Sequence, residues 1–135
     1  MKKQKQLIVH RQIGDCWRAC IACILNVPVQ TVPNFIEVKG TKTNNWYISS
    51  WNWLNKRGYK IQTIDGNTMR TKRFYIVSVN SYNFKDISHA VIYRGKKPYW
   101  DVNPLNRDVP RKPKWVYAVF EITKRRSINS SEAGK

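Results

Sequence analysis

The chain has 135 residues, enough for one domain with a single core and too few for two. Lysine and arginine total 25 against 8 acidic residues, which gives a formal net charge of +17 at pH 7. The content of 41% apolar and 13% aromatic residues argues against a disordered chain. The longest apolar run, residues 19–29, is shorter than the roughly 20 residues of a membrane span, so we expect no such span.

Residues 1–11 are a basic lead-in whose apolar triplet, Leu7-Ile8-Val9, predicts a short strand. The lead-in has neither the apolar segment nor the small-residue cleavage site of a secretory signal. All three cysteines fall within eight positions, a spacing that seldom gives disulfide geometry. We therefore expect free thiols and a cytoplasmic protein.

Two helices are predicted in the first half of the chain. The first covers about residues 15–26, with Asp15 as N-cap and Pro28 ending it. A loop containing two prolines follows. The second helix covers about residues 45–57, and Gly58 is its expected C-terminal cap.

Beyond the second helix the pattern changes to short β-rich runs. They cover residues 59–64, 73–80, 88–94, 99–102 and 116–122. Helices followed by an antiparallel meander predict an α+β domain, with the first helix packed on the sheet. We expect a single domain over residues 1–124 and a disordered basic tail over residues 125–135.

Cys16 is the strongest candidate for a reactive residue. It follows Gly14-Asp15 and lies in the first turn of the predicted helix. Unpaired backbone N–H groups and the positive end of the helix dipole both favour thiolate there, which is the nucleophilic form of cysteine. Cys16 is therefore the predicted nucleophile, and its backbone N–H is a predicted oxyanion donor.

Two polar residues in the second half of the chain complete a candidate triad with Cys16. His89 begins a predicted strand, and Asp101 lies twelve positions later, on the next strand of a hairpin. Asp101 is then placed to orient the imidazole. Asn103 is the alternative orienting residue. His10, the other histidine, has no acidic residue near it in sequence and is expected to be structural or exposed.

The cysteines also match a CxxxCxxC spacing that some iron–sulfur enzymes use. Such clusters need a flexible loop on which three thiolates converge, whereas residues 16–23 are predicted to be helical. Cys20 and Cys23 are instead expected to be small buried residues on the inner face of the helix. We therefore predict neither a metal site nor a cofactor.

Four blocks of the sequence resemble small papain-like proteins of bacteria and their phages. They are Gly-Asp-Cys-Trp-Arg-Ala-Cys-Ile-Ala at 14–22, Val-Pro-Asn-Phe at 32–35, Ser-His-Ala-Val-Ile-Tyr at 88–93 and Trp-Asp-Val-Asn-Pro at 100–104. The chain is also similar to the bacteriocin-processing peptidase domains of exporters. The resemblance implies a papain-like fold, with Cys16 as nucleophile, His89 as general base and then acid, and Asp101 orienting the imidazole. It also implies an oxyanion glutamine shortly before the nucleophile, which would be Gln12.

The predicted function is a cysteine hydrolase that cleaves an amide, peptide or isopeptide bond in an acidic protein or peptide. Two alternatives stay open. The first is a binder that uses the basic surface to hold nucleic acid, although that surface could also be only a solvated face without a partner. The second is a non-catalytic inhibitor of a host protein, built on the same scaffold. Most tryptophans are expected in the core, although Trp17, Trp46, Trp51, Trp53 and Trp100 are also candidates for lining a substrate groove or stacking on bases.

Overall fold

The computed structural model describes residues 1–11, 14–38 and 41–125. Its helices are α1 (Cys16–Leu25) and α2 (Trp46–Lys56), and its first two strands, β1 (Glu37–Val38) and β2 (Thr41–Lys42), form a small hairpin. The main sheet is antiparallel and has five strands, β3 (Tyr59–Ile64), β4 (Phe74–Asn80), β5 (Ser88–Arg94), β6 (Lys97–Trp100) and β7 (Val116–Lys124). Within the described residues, no helix has the length and apolar character needed to cross a membrane.

The α+β prediction is confirmed, but the predicted meander is wrong. The strand order is β3-β7-β4-β5-β6, so the last strand lies between β3 and β4. Strand β7 carries apolar side chains towards both faces, with Phe120 in one buried cluster and Val119 in the other. A strand with two apolar faces is best accommodated inside a sheet that is covered on both sides.

Helix α1 packs against one face of the sheet because most of its side chains are apolar. Its buried residues are Trp17, Ala19, Cys20, Ile21, Ala22 and Cys23. They join one cluster with Ile76 on β4 and Ile92 on β5. The helix ends where Asn26 adopts a left-handed conformation with φ 59°. This packing fixes the N-terminus of α1 relative to the strand that carries His89.

Helix α2 ends as the sequence predicts. Gly58 has φ +82°, a conformation that glycine adopts without steric cost, and its N–H donates to the carbonyl of Asn55 at 3.1 Å. The buried Leu54 joins the cluster around α1, which holds α2 on the same side of the sheet.

The predicted strand at Leu7-Ile8-Val9 is wrong. The N–H groups of Leu7 and Ile8 donate to the carboxylate of Asp15, at 3.1 and 2.8 Å, instead of to a neighbouring strand. Residues 1–11 form an irregular segment, here called the strap, which lies beside the start of α1 and the residues that follow β6. The strap is also held by Gln6, whose N–H donates to the carbonyl of Val102 at 2.7 Å.

The strand predicted over residues 99–102 is shifted in the structure, because β6 ends at Trp100. Asp101 lies directly after it, and its N–H donates to the carbonyl of Asp108 at 2.7 Å. The side chain of Asp101 is therefore presented from the end of the sheet. Residues 126–135, most of the predicted tail, lie outside the described residues.

Candidate active site

Cys16 is the first residue of α1, and the turn before it is tightly packed. A Cβ at Gly14 would lie 2.7 Å from the carbonyl oxygen of His10, too close for any other residue without a shift of the backbone. This close approach sets the path by which the chain enters α1. It leaves Cys16 half-buried on the wall of a cleft.

Asp15 occupies the N-cap position, but its side chain does not cap the helix. Its carboxylate is fully buried and accepts hydrogen bonds from the strap and, at 2.8 Å, from Nε of Arg18. The predicted capping role is therefore wrong, because three donors outside the cap position occupy both carboxylate oxygens. Asp15 instead fastens the strap to the start of α1.

His89 and Asp101 form a buried hydrogen-bonded pair. Nε2 of His89 donates to Oδ1 of Asp101 at 2.7 Å. The same Oδ1 accepts the N–H of Asn103 at 2.9 Å, and Oδ2 accepts Nδ2 of Asn106 at 2.9 Å. Asp101 is thus held in one orientation by its own loop. The side chain of Asn103 donates to Oδ1 of Asn83 at 3.0 Å, so Asn103 supports Asp101 through its backbone.

The thiol of Cys16 lies next to the imidazole of His89, and both residues line the same cleft. Since Nε2 is engaged by Asp101, Nδ1 is the ring nitrogen available to sulfur. Burial raises the pKa of the Cys16 thiol, but the hydrogen bond and charge of His89, together with the N–H of Ala90, outweigh burial and bring the pKa below its ordinary value. Sulfur at this position is therefore activated towards thiolate.

The pKa of His89 shifts in the direction that stabilises such a thiolate. Burial lowers the pKa of the imidazole, but the hydrogen bonds and charges of Asp101 and Cys16 prevail and raise it to about 10. Burial likewise raises the pKa of Asp101, and His89 and the donors from Asn103 and Asn106 outweigh it, so the carboxyl stays ionised. Cys16, His89 and Asp101 are thus arranged in a row, and each pKa shift favours the charged form of its group.

Cys20 and Cys23 are buried, as predicted from their helical spacing. Burial raises the pKa of Cys20 well above its ordinary value and that of Cys23 to about 11. Both are therefore neutral thiols at physiological pH. No cluster of three or more metal-binding side chains occurs among the residues that the structure describes.

A cleft of about 160 Å³ opens beside Cys16 and His89. Its apolar lining comes from several elements and comprises Val9, Trp17, Ile36, Trp46, Phe84, Ile87 and Phe120. Gln6 and Trp17 also line the cleft. Oε1 of Gln6 and Nε1 of Trp17 are buried and have no hydrogen-bond partner within the described part of the chain.

Gln6 is a site residue that the sequence did not reveal. It lies in the irregular strap ten positions before Cys16, and only the folding of that strap over α1 brings it to the cleft. Its Nε2 donates to the carbonyl of Ile8 at 2.7 Å and keeps a second hydrogen. The predicted oxyanion residue, Gln12, lies outside the described residues.

The remaining predicted residues divide between the core and the surface. His10 is exposed and lies at the cleft. Trp17 is buried and Trp46 packs against it with 5.0 Å between ring centroids, so these two residues both line the cleft and contribute to the core. Trp51 is 42% exposed and lies outside this cleft.

Comparison with protein-family models, with curated proteins and with solved structures gave no match to this chain. Its function is therefore inferred from the geometry of Cys16, His89 and Asp101.

Proposed function

We propose that the protein is a papain-like cysteine hydrolase that cleaves an amide, peptide or isopeptide bond. The observation that carries the proposal is the row formed by Cys16, His89 and Asp101, with a thiol of lowered pKa at the start of a helix. The order of these residues in the chain and their roles are those of papain-like enzymes. The buried pair between His89 and Asp101 supports the orienting role given to Asp101.

In the proposed reaction, the Cys16 thiolate attacks the carbonyl carbon of the substrate and forms a tetrahedral intermediate. His89 then transfers a proton to the leaving nitrogen, the C–N bond breaks, and a thioester of Cys16 is left. Water, deprotonated by His89, attacks the thioester, and the C–S bond breaks to release a carboxylate and restore the thiolate. Asp101 keeps the imidazole in the orientation that both proton transfers need.

The negative oxygen of the intermediate needs hydrogen-bond donors in place before the reaction. The N–H of Cys16 is one, because the first N–H groups of a helix lack partners within it. The second hydrogen on Nε2 of Gln6 is another, since Gln6 lines the same cleft. We assign the oxyanion role to these two donors.

The substrate that best fits the cleft is a peptide-like chain with an apolar side chain. Apolar residues form most of its wall, and the two proposed oxyanion donors would hold the carbonyl group of a peptide unit. Arg11 and His10 lie at the same cleft, and no acidic residue lines it among the described residues. Acidic groups elsewhere on the substrate would therefore be attracted. The three free cysteines suit a reducing compartment such as the cytoplasm.

The activated thiol can be tested by partial labelling with iodoacetamide at pH 7 and mass spectrometry of the peptides. Cys16 should be alkylated more than tenfold faster than Cys20 or Cys23, which serve as buried controls in the same molecule. His89→Ala should remove most of this advantage while the protein stays folded. Equal labelling of the three cysteines, or preference for Cys23, would contradict the assignment.

Acyl transfer is tested separately with p-nitrophenyl acetate. The proposed enzyme should acetylate Cys16 and then release acetate, so that p-nitrophenolate continues to form after the first equivalent. Cys16→Ser should lose this reaction. A labelled thiol that never deacylates would favour the alternative of a non-catalytic inhibitor on the same scaffold.

A further inference from the structure

A second surface lies at the end of the sheet where β4 ends and β7 begins. Three aromatic side chains on it are unusually exposed, Tyr82 by 64%, Trp115 by 56% and Tyr117 by 58%. Trp115 is joined to Asn80, since its N–H donates to Oδ1 of Asn80 at 2.8 Å and its carbonyl accepts the N–H of Asn80 at 3.2 Å. Exposed aromatic residues grouped in this way commonly mark a binding surface.

Cationic side chains are interleaved with these rings. The guanidinium of Arg111 lies 3.9 Å from the centroid of Tyr82 and donates to its hydroxyl, and Nζ of Lys114 lies 5.5 Å from the centroid of Trp115. No carboxylate in the described part of the chain forms an ion pair with Arg111 or Lys114. Their charges are therefore available to an anionic ligand. We call Tyr82, Arg111, Lys114, Trp115 and Tyr117 the aromatic–basic surface.

A cavity of about 170 Å³ adjoins this surface. Tyr82, Arg107, Arg111 and Lys112 line it, together with Asp101. The carboxylate of Asp101 is already engaged by His89, Asn103 and Asn106, so three cations in this cavity face one neutralised acid. Such a cavity favours a phosphate group.

We propose that the aromatic–basic surface binds single-stranded nucleic acid. Bases would stack on Tyr82 and Trp115. The backbone phosphates would pair with Arg111 and Lys114 of this surface and with Lys112 of the adjoining cavity, the combination found in proteins that hold single strands without sequence preference. An acidic polypeptide would use the cations but leave the exposed rings without a partner. A closed duplex would offer phosphates but no base face. The surface lies outside the cleft at Cys16, whereas the adjoining cavity is also lined by His89 and Asp101 of the candidate site. The proposal does not depend on the hydrolase activity.

The test is fluorescence anisotropy of a labelled oligothymidylate of about 12 nucleotides. This length lies within the roughly 4–16 nucleotides that one single-strand-binding OB fold covers. Tyr82→Ala and Trp115→Ala should each raise Kd about tenfold, because each removes a stacking platform. Tyr82→Phe keeps the ring and should bind nearly as tightly as the parent. Trp51→Ala removes an exposed tryptophan outside the proposed surface and should leave Kd unchanged. Equal alkylation of Cys16 in all four variants confirms that they are folded.

Salt and competitors complete the test. Kd should rise steeply with salt concentration. Lys112→Ala should reduce the slope of log Kd against log salt concentration by about one, because one phosphate contact is lost. No binding of the oligonucleotide by the parent, unchanged Kd in both alanine variants, or an equal loss in Trp51→Ala would overturn the proposal. Displacement by polyglutamate or by a duplex as readily as by unlabelled oligothymidylate would also overturn it, and would identify a general polyanion surface.

Discussion

At the scale of single residues, the reactivity of Cys16 depends on a balance between opposing contributions. Burial favours the neutral thiol, and the nearby charge of Asp15 adds to this effect. The hydrogen bond and charge of His89 act in the opposite direction and are stronger. His89 provides that charge because Asp101 raises its pKa. Asp101 therefore acts on the pKa of the Cys16 thiol through His89.

The pH dependence of alkylation tests whether Asp101 affects the pKa of Cys16 through His89. The iodoacetamide rate at Cys16 should rise with pH and level off below the ordinary cysteine pKa of about 8.5, because the imidazolium stabilises the thiolate. In Asp101→Asn, the imidazole is less readily protonated, so the midpoint should move up towards 8.5. Asn103→Ala leaves the carboxylate in place and should shift the midpoint less. A larger shift in Asn103→Ala would make Asn103 the residue that orients the imidazole.

At the scale of elements, the strap and the start of α1 form one unit. The buried carboxylate of Asp15 holds two N–H groups of the strap and the guanidinium of Arg18. Arg18 in turn donates to the carbonyl of Val32 at 3.2 Å. These bonds connect the strap, the helix and the following loop around Gln6 and Cys16. The position of the proposed oxyanion donors therefore depends on Asp15, which has no part in the proposed reaction.

Removing that anchor should destabilise the protein. Asp15→Ala leaves Arg18, whose side chain is only 13% exposed, without its partner and should lower the free energy of unfolding by about 3 kcal/mol. Asp108→Ala is the control, since Asp108 is 74% exposed and its pair with Lys5 should contribute less than about 1 kcal/mol. Urea unfolding of both variants measures the difference. Equal losses would show that the strap is not anchored through Asp15.

Local pattern was sufficient to predict much of this architecture. Both helices and their ends follow from apolar spacing and from Pro28 and Gly58, and the short strands follow from β-branched and aromatic runs. The position of β7 between β3 and β4 could not be predicted, because it depends on pairing between residues such as Ile61 and Ile122 that are far apart in sequence. The hairpin of β1 and β2 could not be predicted either, because each of its strands contains only two residues.

In the candidate site, too, some features could be predicted from local sequence pattern and others could not. The pairing of His89 with Asp101 followed from a hairpin of ordinary length. The contribution of Gln6 did not, since it depends on a strap whose backbone bonds go to the side chain of Asp15 instead of to a regular strand. Irregular segments held by side chains leave little periodic signal in a sequence.

At the scale of the whole molecule, the excess of 25 basic residues over 8 acidic residues is hardly offset by internal pairing. Among the described residues, Asp15, Asp101, Asp108 and Glu121 already form ion pairs. The remaining basic residues produce a positive potential over the surface, which acts on approaching ligands more than on bound ones. The Cys16 cleft, with Arg11 at its edge, lies within this potential.

Two alkylating reagents that differ in charge measure that potential at the sulfur. Iodoacetate is an anion and iodoacetamide is neutral. The rate of iodoacetate divided by that of iodoacetamide at Cys16, corrected by the same ratio for a small free thiol, therefore reports steering by charge. The corrected ratio should exceed one at about 50 mM salt and fall markedly by about 200 mM, where the Debye length is shorter than about 10 Å. The iodoacetamide rate alone should barely change, because its chemical step involves no approach of charges. Arg11→Gln should lower the ratio at low salt. A ratio near one at every salt concentration would mean that the basic residues form only a solvated surface, and that an acidic substrate gains no advantage from them in reaching Cys16.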